Sequence, residues 1–154
     1  MLKGATFSPC MAYRYTLTRT WDARSPAVFI GLNPSTADAS IDDPTIRRCI
    51  RFAATWSCGG MIMLNLFAYR ATDPKAMLDA PDPIGPDNDA ALLRICKHAD
   101  LIVAAWGTHG THQGRAERVI GMLDGRLSAL RITKHGHPAH PLYLPAVLEP
   151  MPWK

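Results

Sequence analysis

The stretch Ala27-Val28-Phe29-Ile30-Gly31-Leu32-Asn33-Pro34-Ser35-Thr36 joins a run of strand-forming residues to a polar turn. In an alternating α/β sheet, ligands bind at the carboxyl ends of strands, because the loops there carry polar groups while the strands hold them in place. Asn33 follows such an end, and its amide can both donate and accept a hydrogen bond. The stretch fits two interpretations, a binding loop and an ordinary turn from a strand into a helix.

Composition places the chain among globular proteins. It has 154 residues, of which 47% are hydrophobic and 19% charged, so residues 1–154 are predicted to form a single domain. The net charge of +4 is compatible with a nucleic acid or nucleotide as partner, although the basic residues are scattered. No secretory signal or membrane-length apolar run is present, so we expect a cytoplasmic protein without a membrane partner, and a monomer is favoured.

The first half of the chain alternates strands and helices. Alternating residues predict a strand over 13–18, and the apolar run at 27–30 predicts a second. Asp43 is predicted to cap a helix that begins at Pro44 and continues to about Trp56. The N-terminus of that helix is expected to face the binding cleft and to favour an anion. The apolar residues 61–67 predict a strand covered on both faces.

The second half repeats this alternation. Asp73-Pro74 predicts the same capped start for a short helix over 75–79. Further helices are predicted from Asp87 onwards and over 115–123, and strands over 101–106 and 130–133. The fold class is therefore α/β, a three-layer α/β/α sandwich around about four or five mainly parallel strands. The strands that begin at Ala27, Met61 and Leu101 are expected to be neighbours in its middle.

Asn65 and a late cluster of histidines are the candidate site residues. Asn65 interrupts an apolar run, so its amide either bonds to nearby backbone or reads a planar base edge. Among the six histidines, His135, His137 and His140 lie close together with prolines between them. That spacing excludes helical metal ligation and favours one imidazole offered to a developing anion. Neither a metal nor another cofactor is predicted, and the scattered cysteines are expected to be reduced thiols.

Three segments resemble the uracil-DNA glycosylase superfamily. Gly31-Leu32-Asn33-Pro34-Ser35 is similar to its first motif, and Met61-Ile62-Met63-Leu64-Asn65 to the strand that ends in the uracil-reading Asn. His137-Pro138-Ala139-His140-Pro141-Leu142 resembles the loop that supplies the catalytic His. Nearly the whole chain looks most like the family called DUF1643.

The resemblance implies roles for particular residues. Asn33 would place the water that attacks the sugar, Asn65 would bind the base, and His140, or failing it His137, would stabilise the departing base. Phe67 or Trp106 could stack on the base. The remaining residues of the first motif, which would border the substrate, are Gly31, Leu32, Pro34 and Ser35, and the basic residues assigned to nucleic acid are Arg47, Arg48 and Lys134.

Two departures from the superfamily leave the reaction open. An Asn stands where the main family has its Asp base, and an amide orients water without accepting its proton. The serines of the last motif are absent, which weakens phosphate binding. The function that the resemblance implies is a DNA glycosylase-like hydrolase of the base–sugar bond, in DNA repair. The alternative is a protein that binds a base, nucleotide or nucleic acid on the same scaffold without cleaving it.

Overall fold

The quoted stretch lies at the centre of a seven-stranded sheet in the computed structural model, which describes residues 1–154. The strands are β1 (Leu2–Phe7), β2 (Arg14–Thr20), β3 (Ala27–Gly31), β4 (Gly60–Asn65), β5 (Ile102–Ala104), β6 (Ser128–Ala129) and β7 (Met151–Pro152). Their order across the sheet is β1-β2-β4-β3-β5-β6-β7. The prediction that β3, β4 and β5 are neighbours in its middle is confirmed.

The sheet is mixed, and this corrects the expected four or five mainly parallel strands. The pairings β3–β4, β3–β5 and β5–β6 are parallel, whereas β1–β2, β2–β4 and β6–β7 are antiparallel. Strand β1 is mostly exposed, and β6 and β7 have two residues each. Such strands lack the apolar run by which a sequence reveals a buried strand.

The prediction of a strand over 130–133 is wrong. The chain pairs with β5 two residues earlier, at Ser128–Ala129, and then leaves the sheet. Ile132 forms only an isolated bridge with Pro138. Proline has no backbone N–H, so a ladder at this point lacks one of its donors.

Four α-helices accompany the sheet: α1 (Pro44–Thr55), α2 (Pro74–Leu78), α3 (Asn88–Cys96) and α4 (Arg115–Leu123). The predicted starts of α1 and α2 are confirmed. Asp43 Oδ1 accepts from the Ile46 N–H at 2.9 Å, and Asp73 Oδ1 accepts from the Lys75 N–H at 2.9 Å. In both helices a proline follows the cap, where the missing N–H costs nothing. No helix has the length and apolarity that crossing a membrane requires.

Strand β3 is buried on both of its faces. Phe29 packs in a cluster with Phe52 of α1, and Ile30 packs in a second cluster with Leu92 of α3 and Val119 of α4. Successive side chains of a strand point to opposite faces, so the alternation of β3 separates the two clusters. Because the side chains along β3 and β4 are apolar, polar side chains occur only at the ends of these strands.

Removing the cap of α1 should destabilise the protein. Asp43 Oδ1 satisfies the Ile46 N–H, and Oδ2 accepts from the Ala37 N–H at 3.3 Å. We expect Asp43→Ala to lower the free energy of unfolding by about 1–2 kcal/mol, as measured by urea denaturation. Asp43→Asn, which keeps a capping oxygen, should lose less. An Asp43→Ala variant as stable as the wild type would contradict this role.

Candidate functional site

A cavity of about 470 Å³ lies at the carboxyl ends of β3, β4 and β5. Its wall includes Asn33 after β3, Asn65 at the end of β4, Trp106 after β5 and His140 in the C-terminal segment. The volume lies within the roughly 300–1,000 Å³ of small-molecule pockets. The three polar residues that the resemblance selects are therefore brought to one cavity from positions far apart in sequence.

Asn65 lines this cavity, and its amide nitrogen is unpaired. The residue is only 3% exposed, and its Nδ2 has no hydrogen-bond partner in the protein. A Cβ at Gly31 would lie 3.0 Å from Asn65 Oδ1, so the glycine leaves room for the amide. An unpaired buried donor costs about 1–3 kcal/mol, which a ligand acceptor would recover.

The backbone at and after Asn65 is held by two buried side chains, Asn88 and Arg115. Asn88 Nδ2 donates to the carbonyls of Asn65 and Leu66, each at 3.0 Å. Arg115 Nε also donates to the Leu66 carbonyl, at 2.8 Å. These bonds replace the sheet ladder where the chain leaves β4, so the position of the Asn65 amide is fixed by α3 and α4.

Asn33 acts as an acceptor. Its Nδ2 donates to the carbonyls of Pro34 at 3.1 Å and Ala71 at 2.9 Å. Those two bonds occupy the amide nitrogen and orient the side chain, while Oδ1 has no donor from the protein. Asn33 is therefore suited to accept a hydrogen bond from a bound water or ligand.

His140 is set up as a neutral donor. Its Nδ1 accepts from the Leu142 N–H at 3.2 Å, so the neutral ring carries its proton on Nε2. Desolvation lowers the pKa of His140 below its usual 6.5, while the Asp43 carboxylate acts in the opposite direction. The residue as a whole is exposed, as His135 is. At neutral pH the imidazole can thus donate through Nε2 without carrying charge.

The two aromatic candidates are placed differently. Trp106 is 2% exposed and lines the cavity. Phe67 is fully buried, does not line the cavity and packs against the His112 ring, with centroids 5.7 Å apart. Of these two residues, only Trp106 can therefore border a ligand.

Some of the other predicted residues of the first motif and the histidine loop line the cavity, and others do not. Gly31, Leu32 and Ser35 line the cavity, whereas Pro34 and His137 do not. His137 is half-buried, and its backbone N–H donates to Thr133 Oγ1 at 3.2 Å. His140 is thus the histidine of this loop that belongs to the site.

The basic residues assigned to nucleic acid lie outside the cavity wall. Arg47 is exposed in the first turn of α1, and Lys134 is exposed in a turn before His140. Arg48 donates to the Leu144 carbonyl and stacks over the Phe52 ring, 5.2 Å from its centroid. Arg48 therefore helps to hold the segment that carries His140.

The start of α1 borders the cavity through Asp43, Thr45 and Ile46. The expectation that this helix end binds an anion needs correction, because the Asp43 carboxylate already caps it. A carboxylate at this position satisfies the Ile46 N–H and contributes negative charge. The helix terminus alone is therefore a poor anion site.

Arg14, the arginine of the cavity wall, is not among the residues predicted from the sequence. Arg14 is 2% exposed and lines the wall. Desolvation lowers its pKa to about 10, with Asp43 acting in the opposite direction, so it stays charged at neutral pH. In sequence it is one polar position of an alternating strand, and nothing distinguishes it from an exposed one. Two exposed residues, His109 and Tyr143, were also missed at the cavity edge.

The side chains offer no evident metal centre. No three His, Cys, Asp or Glu residues lie close enough together to hold an ion. All four cysteines are free: Cys10 is exposed, and Cys49 and Cys96 lie in different apolar clusters.

Most of the chain is similar to one known protein family. Residues 14–142 match the family model described as "Protein of unknown function (DUF1643)". The chain belongs to this family. The matched region starts at Arg14 and contains Asn33, Asn65 and His140, so the DUF1643 segment carries the main polar groups of the cavity. No curated protein and no solved structure matches the chain.

The same substitution at Asn65 and Asn88 should have opposite effects on stability. Asn65→Leu removes an unpaired donor, so we expect the free energy of unfolding to stay level or to rise by up to about 1–3 kcal/mol. Asn88→Leu removes the donor to two buried carbonyls and should lower it by about 1–3 kcal/mol. Urea denaturation measures both. Equal losses in the two variants would show that Asn65 has a structural role only.

Protonation of His140 should destabilise the fold in mild acid. Its folded pKa lies below the unfolded value of 6.5, so the unfolded chain binds the proton first. Stability is then lost as the pH falls below about 6.5, until the folded pKa is passed. We expect His140→Asn to lack this component when unfolding is measured from about pH 7.5 to about pH 5. Exposed His135→Asn is the control, and identical pH profiles for wild type and His140→Asn would refute the assignment.

Proposed function

We propose that this DUF1643 protein hydrolyses the base–sugar bond of a uracil-like, damaged or modified base in DNA. The observation that carries the proposal is the unpaired amide of Asn65, a residue that lines the same cavity as Asn33 and His140. A donor beside an acceptor on one amide matches the edge of a nucleobase. Trp106, in the cavity wall, is the aromatic residue that the proposal assigns to a flipped base.

The free atoms of the three residues have complementary chemistry. Asn33 Oδ1 accepts a hydrogen bond from the water that attacks C1′, because its Nδ2 is already occupied. The base leaves with the electron pair of the broken bond, and the Nε2–H of His140 stabilises the resulting negative charge. The water loses a proton and the base gains one, so hydrolysis is balanced without a cofactor.

The same proposal covers the wider expectations from the resemblance. The two apolar clusters, one with α1 and one with α2 to α4, support a three-layer α/β/α arrangement of the uracil-DNA glycosylase type. The net charge of +4 and the exposed Arg47 and Lys134 support DNA as the partner. We place the protein in the cytoplasm as a DNA repair hydrolase.

One observation favours the non-catalytic alternative. The carboxylate in the cavity wall, Asp43, already accepts hydrogen bonds on both oxygens, from Ile46 and Ala37. Asn33 cannot take a proton from water. A protein with these groups could hold a base in the cavity without cleaving its bond to the sugar.

A base-release assay separates the two functions. Single- and double-stranded oligonucleotides that carry uracil and a set of modified bases are incubated with the protein, and abasic sites are detected by alkaline cleavage. His140→Ala should slow release by about 10²–10³-fold, since it removes a donor from a preorganised site. Asn65→Ala should reduce discrimination between bases, and Asn33→Asp should raise the rate because a carboxylate accepts the proton of water.

His135→Ala is the matched control, because His135 is exposed and lies outside the cavity wall. It should release the base at the wild-type rate. If His140→Ala, Asn65→Ala and Asn33→Asp all match the wild type on a confirmed substrate, the mechanism is wrong. Binding that Asn65→Ala weakens, without release of any base, would establish the binding protein instead.

A further inference from the structure

Three arginines of the structure are buried, and they differ in how their charge is compensated. Arg19 Nε lies 2.7 Å from Asp42 Oδ1. Arg115 Nη1 lies 2.6 Å from Asp89 Oδ1, in an ion pair whose angles are not those of a hydrogen bond. Arg14 is buried to the same degree and forms no salt bridge.

The hydrogen bonds of Arg14 are also incomplete. Its Nη1 donates to the Ala37 carbonyl at 3.0 Å, while Nε is buried and has no acceptor. Burial lowers the pKa of Arg14 and the Asp43 carboxylate partly opposes this, but the two residues form no salt bridge. A buried cation without a contacting anion is strongly disfavoured.

Position separates Arg14 from the two paired arginines. Arg14 lines the cavity, whereas Arg19 and Arg115 do not. The Nη2 of Arg14 has no hydrogen-bond partner and keeps some accessible surface, so it can meet a ligand in this cavity. A planar fork of N–H donors matches two oxygens of a phosphate or carboxylate.

We propose that Arg14 binds an oxyanion of the ligand that occupies this cavity. We identify this oxyanion as the phosphate of a nucleotide whose base contacts Asn65, and that identification rests on the proposed function. The substrate class is then a nucleotide unit with its phosphate inside the cavity, and the base alone is an incomplete ligand. Ser35 and Thr45 line the same wall and carry hydroxyl groups that can donate to further phosphate oxygens.

Inorganic phosphate is the first probe, because it tests Arg14 without any base. Its affinity is measured by calorimetry for the wild type, Arg14→Gln and Arg51→Gln. Arg51 is exposed on α1, so its variant removes one positive charge from outside the cavity. We expect Arg14→Gln to weaken phosphate binding by about tenfold or more, the equivalent of one charged hydrogen bond, and Arg51→Gln to bind as the wild type does.

Two results would overturn the proposal. One is wild-type phosphate affinity in Arg14→Gln, and the other is an equal loss in Arg51→Gln, which would indicate an unspecific effect of net charge. Failure of Arg14→Gln to fold would place Arg14 in the structural core and would count against the proposal as well.

Stability without any oxyanion gives an independent readout. Arg14→Met removes an unpaired buried charge, so its Tm in phosphate-free buffer should rise above that of the wild type. Arg19→Met leaves Asp42 without its partner, so its Tm should fall. A fall in both variants would show that Arg14 is compensated within the protein and would refute the proposal.

Nucleosides and nucleotides distinguish this proposal from the proposed function. Each deoxynucleoside 5′-monophosphate should bind more tightly than its nucleoside, and Arg14→Gln should abolish the difference. Phosphate binding at Arg14 without release of any base from oligonucleotides supports the present proposal and refutes the glycosylase function. Base release at the wild-type rate by Arg14→Gln supports the glycosylase and refutes the role of Arg14.

Discussion

Burial of the central parallel strands on both faces is the constraint on which the rest of the structure depends. Phe29 and Ile30 point to opposite apolar clusters, and both are fully buried. A polar side chain within such a strand would lose its water without gaining a partner, which is costly. Polar groups are consequently confined to the strand ends, where Asn65 closes β4 and the Asn33 loop follows β3. The cavity lies where the sheet can accommodate polar chemistry.

The end of β4 shows how this position is made rigid. Beyond Asn65 the chain leaves the ladder, and its carbonyls would lie buried without partners. Asn88 and Arg115 supply the missing donors from α3 and α4. The backbone is thus satisfied while the Asn65 Nδ2 and the Arg14 Nε remain unpaired. Both of these residues line the cavity, where a ligand can supply the partners that the protein does not.

The C-terminal segment, which brings His140 to the cavity, is held in place by contacts with α1. Arg48 donates to the Leu144 carbonyl, and Trp56 Nε1 donates to the Leu148 carbonyl at 3.0 Å. These bonds hold the two ends of residues 144–148, which follow directly after the turn that begins at His140. Since the C-terminal segment has little regular structure of its own, its placement comes from these side chains. Arg48 thereby supports the position of His140 instead of lying free on the surface.

The sequence by itself determined the central strands, the capped starts of α1 and α2 and the three residues Asn33, Asn65 and His140 as candidates. These features are local: apolar runs, an Asp-Pro pair and an amide or imidazole in short motifs are visible within a few residues. Only the tertiary structure decided the short edge strands, the failure of residues 130–133 to form a strand and the place of Arg14. Edge pairing depends on partners distant in the chain, and Arg14 in sequence resembles any polar residue of an alternating strand. Its lack of a carboxylate is a property of the folded surroundings, because a charge is recognised as unpaired only when every neighbour is known.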